Sequence, residues 1–171
     1  MPSTRIRGKA LLSETAPTEP FRLLVVANEA AGAGELHDAL LGFGPGTSEI
    51  LVVAPVLSTR LRHGHEDERV ARWFARERLL ACLDVLVQQG HDANGQVGDA
   101  DPLLAVEDAL AVFPADEILL VTHPPGASNW LERDLVAQAI GRFGVTVAHL
   151  VVEPRPAAAA RAPIGLVPLA A

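Results

Sequence analysis

Three short segments hold the residues whose types and spacing could do chemistry. His63-Gly64-His65-Glu66-Asp67-Glu68 sets two imidazoles and three carboxylates within six residues, a donor set suited to a divalent cation. A glycine-containing loop running into an acidic helix start is explained more simply by solvation and by the favourable field of a helix N-terminus. No metal is therefore expected. Arg60 and Arg62, just before this segment, could reach a phosphate, but solvated arginines are the plainer reading.

His123 is an imidazole able to act as acid or base near neutral pH. Ser128 follows it, yet no G-x-S-x-G elbow or partner carboxylate accompanies the pair. A loop-structuring hydrogen bond is expected of His123, and no catalytic residue is assigned. The third segment, Asn28-Glu29-Ala30-Ala31-Gly32-Ala33-Gly34-Glu35, contains G-x-G but lacks the next glycine of a dinucleotide fingerprint, with Ala39 and Leu40 beyond. Its glycines suit a turn into a helix. Asn28 can meet a base or ribose as both donor and acceptor.

These segments need a scaffold, and the hydrophobic pattern supplies one. The apolar runs Phe21 to Ala27, Glu49 to Ala54, Glu117 to Thr122 and Val145 to Val152 lack sustained polar alternation, as parallel strands buried on both faces do. A weaker run, Ala93 to Val97, carries Asn94 and Gly95 and belongs at an edge. Between the strands, Val70, Trp73, Phe74, Leu80, Leu83 and Val87 form a stripe at helical spacing, read as a core face with Cys82 packed inside it. A second stripe, Leu103, Val106, Leu110 and Phe113, is opened by Asp101 as N-cap and Pro102 at the first helical position. The alternation β-α-β-α-β-α-β-α-β predicts a three-layer α/β/α fold with a parallel sheet and right-handed crossovers. Ligands in such folds bind beyond the carboxyl ends of the strands, where strand order reverses. The loops after strands one and four are the ones to watch.

Composition narrows the classes. The chain of 171 residues is 49% hydrophobic and carries a net charge of -7 with pI near 5.3, which argues for one soluble domain and against nucleic-acid or anionic-membrane partners. A single cysteine excludes an internal disulfide framework and suits a reducing cytoplasm. No export leader is expected, and no apolar run approaches the roughly 20 residues of a spanning helix. Residues 1–20 and the Pro/Ala-rich 154–171 read as tails around a folded domain of residues 21–153.

Order of elements and local sequence resemble the universal stress protein family. The resemblance spans about Phe21 to Glu153 and rests on Leu23-Leu24-Val25-Val26-Ala27-Asn28, Gly98-Asp99-Ala100-Asp101-Pro102, and Val121-Thr122-His123-Pro124-Pro125-Gly126-Ala127-Ser128. It implies a five-stranded Rossmann-like sheet of order 3-2-1-4-5, akin to the adenine-nucleotide α-hydrolase group. It also implies a homodimer joined through the strand-five edge, and ATP or another adenine nucleotide as the ligand class.

Against the family's G-x-x-G-x9-G-[S/T] phosphate loop, only Gly126 fits. Asn28 stands for the Asp at the end of strand one, and His123 for the first glycine. Pro124 and Pro125 supply no N–H to a phosphate cradle. Gly126, Ser128 and Asn129 still precede a helix, where a small anion is favoured, and Arg133 can add charge. The candidate ligand set is therefore Asn28, Gly32, Gly34, His123, Gly126, Ser128, Asn129 and Arg133. The functional expectation is a regulatory protein that senses a small ligand or nucleotide without turnover. Its alternatives are a protein-interaction module that binds no nucleotide and a hydrolase-type enzyme using His123.

Overall fold

β1 (Phe21–Ala27) is buried without a break from Leu23 to Ala27, as a strand covered on both faces must be. The structure, a computed structural model, describes residues 20–28, 33–43, 48–57, 65–124 and 130–153. The segments read as tails lie outside them, apart from Pro20. After β1 come α1 (Ala33–Leu41), β2 (Ser48–Pro55), α2 (His65–Gln88), β3 (Asp92–Gly98), α3 (Pro102–Val112), β4 (Glu117–Thr122), α4 (Trp130–Arg142) and β5 (Thr146–Val151). The strands form one sheet of order β3-β2-β1-β4-β5, and every neighbouring pair is parallel. The α/β class, the number of strands and their order are those expected. No described helix is long and apolar enough to cross a membrane.

Two apolar layers sandwich the sheet. On one face Leu23, Val25, Ile50, Val52, Leu119 and Val121 pack with Leu36 and Leu40 of α1 and Ala75, Leu79, Cys82 and Leu86 of α2. On the other, Leu24, Val26, Val53, Ile118 and Leu120 meet Leu103, Val106 and Ala109 of α3 and Leu135 and Ala139 of α4. Alternate residues of each strand thus serve opposite layers.

Helix ends follow local chemistry. Asp101 caps α3, its side chain accepting from the N–H groups of Leu103 and Leu104 with Pro102 in the first turn. α2 ends in a Schellman motif in which the Gly90 N–H donates to Val87 O and the His91 N–H to Leu86 O. Gly90 has φ of 82°, a conformation that costs a side-chain-bearing residue.

One expectation is corrected. Val70, Trp73, Phe74, Leu80 and Val87, read as the core face of α2, are all exposed. The helix turns a smaller stripe inward, Ala71, Ala75, Leu79, Cys82 and Leu86, with Leu83 only partly buried. Close approach to the sheet explains the choice. Leu79 lies so near Gly95 that a Cβ there would meet the leucine Cδ1 at 2.4 Å. Large aromatic side chains could not sit on that face without prising helix and strand apart.

Candidate functional site

α1 and α2 lie on one face of the sheet and α3 and α4 on the other, so strand order reverses between β1 and β4. The crevice expected to bind ligands opens beyond the carboxyl ends of these two strands. Ala27 and Val121 are paired across their last rungs.

Asn28 follows directly. It is 1% exposed, one of two buried polar residues among those described, and its N–H donates to Val26 O at 3.0 Å in a tight turn that ends β1. A buried amide here places a polar side chain directly after the carboxyl end of β1.

Arg78 forms one side of the site. It projects from α2 along the inward line that includes Ala71, Ala75 and Cys82. Its Nε donates to Ala27 O at 3.3 Å and its Nη2 to Pro55 O at 2.5 Å. One guanidinium thereby ties together the last residues of β1 and β2 and brings positive charge to the sheet's carboxyl edge. Sequence reasoning missed this residue. The available signal was a charged side chain in register with the buried positions of a helix.

His123 forms the other side. Its ring Nδ1 lies 3.0 Å from Val152 O, a contact that requires the Nδ1–H to donate and that ties the exit of β4 to the end of β5. This is the structuring hydrogen bond expected of it. Beside it, Thr122 Oγ1 lies 2.7 Å from His149 Nε2 and 3.3 Å from His123 O. When the hydroxyl donates to the carbonyl, it accepts from the His149 Nε2–H. His149 is held across strands, and desolvation by burial lowers its pKa from the ordinary value.

Of the remaining candidates, Gly34 falls in the first turn of α1 and Arg133 in that of α4. Gly32, Gly126, Ser128 and Asn129 lie outside the described residues, as do Arg60 and Arg62. His65 opens α2, and Glu68 pairs with Arg72 at 3.7 Å, both exposed. Among the described residues, no group of three or more His, Cys, Asp or Glu side chains is placed to hold a metal ion.

A cleft of about 290 Å³, lined by Glu49, Ile50, Leu51, Asp92, Asn94 and Phe113, lies at the opposite edge, by the amino ends of β2 and β3. It is open to solvent and Glu49 is engaged by Arg22 at 3.1 Å. The topology favours the carboxyl edge over this cleft as the ligand site.

The fold is similar to that of a universal stress protein from Archaeoglobus fulgidus. The two are 16% identical with a TM-score of 0.50, and the match covers 76% of this chain and 93% of that one. No family model and no curated protein matches the chain. At this identity the likeness carries the architecture, a five-stranded parallel sheet of order 3-2-1-4-5 between two helical layers.

Proposed function

We propose that the chain is a universal-stress-like regulatory protein that binds a small anion, of adenine-nucleotide or simpler phosphate chemistry, between β1 and β4 without turnover. The observation that carries this reading is the buried amide of Asn28 at the end of β1, flanked by the Arg78 guanidinium. An amide side chain carries both a donor and an acceptor, the two roles a base or ribose takes up. Arg78 gives the edge the positive field that an anion needs, and the sequence just before α4 carries Ser128 and Asn129, residue types able to hydrogen-bond an anion. Turnover is not part of the reading, because no recognisable nucleophile motif accompanies His123 in the sequence. Homodimerisation through β5 belongs to the same proposal. It is supported by the position of β5 at the sheet edge and by exposed Val151.

A second reading, an interaction module without nucleotide, is favoured by the exposed Trp73-Phe74 pair of α2. A thermal-shift titration with ATP, ADP, AMP, cyclic nucleotides and phosphate, with and without magnesium, separates the two. At about 100 times its dissociation constant a ligand stabilises the fold by roughly 2.7 kcal/mol, a shift of several degrees. No shift with any of them favours the interaction module.

A further inference from the structure

Trp73 and Phe74 stand side by side on the outer surface of α2, 55% and 53% exposed, with Val70 one turn before them at 52%. The two rings meet edge to face at 4.9 Å. Ala71 and Ala75, on the inner side of the same turns, pack in the core, so the helix holds this apolar patch rigidly. Two large aromatic rings left open together mark a contact surface.

The patch lies at the carboxyl edge of the sheet. Leu79 sits against Gly95, in the middle of β3. As the crossover between the parallel strands β2 and β3, α2 runs opposite to them. Phe74, five residues before Leu79, is therefore about 8 Å nearer the carboxyl ends at the usual helical rise. Gly98, the last residue of β3, is about 10 Å beyond Gly95.

The chain leaves the fold at this same edge. The Val152 N–H donates to Thr122 O just past β5, and Glu153 is the last described residue. The sequence that follows runs from Pro154 through alanines to Arg161 and Pro163, and then carries the apolar run Ile164-Gly165-Leu166-Val167-Pro168-Leu169. Three strand spacings separate β5 from β2, and the outer side of a helix stands about 15 Å above its sheet, so the path from Glu153 to the patch is roughly 20–25 Å. Residues 154–163 span about 30 Å when extended, which brings Ile164 and the residues after it within reach. Residues 1–19 start from the opposite edge, before β1. Their apolar run, Ala10-Leu11-Leu12, has fewer than ten residues in which to cross both the length of β1 and the helical layer.

Charge points the same way. Around the helix at 100° per residue, exposed Glu77 falls between Trp73 and Phe74, one turn on, while Arg69, Arg72 and Arg76 lie beyond Trp73 on the other side. Residues 154–171 carry Arg155 and Arg161 and no acidic side chain, whereas residues 1–19 include Glu14 and Glu19. A patch of three side chains is far smaller than a standard interface between free proteins. A tethered segment needs much less area, because a short linker holds it at an effective concentration in the millimolar range. This favours a segment of the same chain over a second copy or a separate partner.

We propose that the segment Ile164 to Leu169 docks on Val70, Trp73 and Phe74 of its own chain, with Arg161 against Glu77. The contact does not depend on ligand binding between β1 and β4.

The test uses the full chain carrying a nitroxide at Ala171→Cys; Cys82 is fully buried and stays unmodified. In amide spectra the label broadens Val70, Trp73 and Phe74 and spares Val112 and Ile140, exposed residues of α3 and α4 in the opposite helical layer. Leu166→Asp with Val167→Asp lowers the docking constant at least about tenfold, as loss of a buried aliphatic side chain requires. Glu77→Arg lowers it by up to about fivefold, and Arg161→Glu added to Glu77→Arg recovers it. Circular dichroism confirms that each variant is folded. Broadening confined to the neighbours of Glu153 overturns the proposal. So does broadening that passes from a spin-labelled copy to an isotope-labelled one in a mixed sample, which makes a second copy the cover. Broadening of the patch from a label at Ser3→Cys and not from Ala171→Cys overturns it as well, and makes residues 1–19 the cover.

Discussion

The guanidinium of Arg78 donates to the carbonyl of Ala27 across 51 residues of sequence, fastening α2 to the end of the strand that opens the candidate site. The same side chain holds Pro55 O, so β1 and β2 are tied at the edge where ligands are expected.

Arg78→Met keeps most of the aliphatic stem and removes both hydrogen bonds. The expected loss is about 2 kcal/mol, since bonds from a charged donor are worth more than neutral ones. Urea denaturation reads it as a lower midpoint with an unchanged slope. A midpoint equal to the wild type would show that Arg78 is a solvated surface arginine.

Close packing at the end of β3 gives a contrasting pair. A Cβ on Gly98 would lie 2.6 Å from the Ala105 Cβ and 2.8 Å from Val53 Cγ1, whereas one on Gly141 of α4 meets nothing within 4 Å. Gly98→Ala therefore destabilises by about 1–3 kcal/mol through overpacking. Gly141→Ala stabilises by up to about 1 kcal/mol through helix propensity. Thermal melts of the two variants should move in opposite directions.

The Thr122–His149 contact makes a pH prediction. Burial lowers the His149 pKa, so the unfolded chain binds this proton more readily than the folded one. The contribution of this group to stability is complete above the unfolded value of about 6.5, and falls as pH drops through the window between that value and the lowered folded one. Melting curves from pH 7.5 to 5 should show a declining midpoint, and His149→Gln should flatten part of that slope. An identical slope in the variant would assign the pH dependence to other groups.

Much of the architecture was legible in the sequence because its central strands are buried on both faces. Leu23 to Ala27 and Ile118 to Val121 are unbroken apolar runs, and they form the bodies of β1 and β4. Asp101 and Pro102 announced the start of α3 through capping chemistry that is local to the chain. α2 misled for a physical reason. It carries two apolar stripes, and periodicity weighs the bulk of Trp73 and Phe74 above the small Ala75 and Cys82 that close packing against the sheet prefers. The positions of Asn28 and His123 were legible, because each directly follows an apolar strand. Arg78 and His149 were not, because their partners come from other strands or helices and only the topology brings them within reach.

The central claim, a small anion bound between β1 and β4, is tested most directly by amide chemical-shift mapping of the isotope-labelled chain titrated with ATP and with inorganic phosphate. Binding there gives saturable shifts at Asn28, Arg78 and His123, with Glu49, Asp92 and Asn94 at the opposite edge unmoved. Shifts confined to that opposite cleft, or none at millimolar ligand, would contradict it.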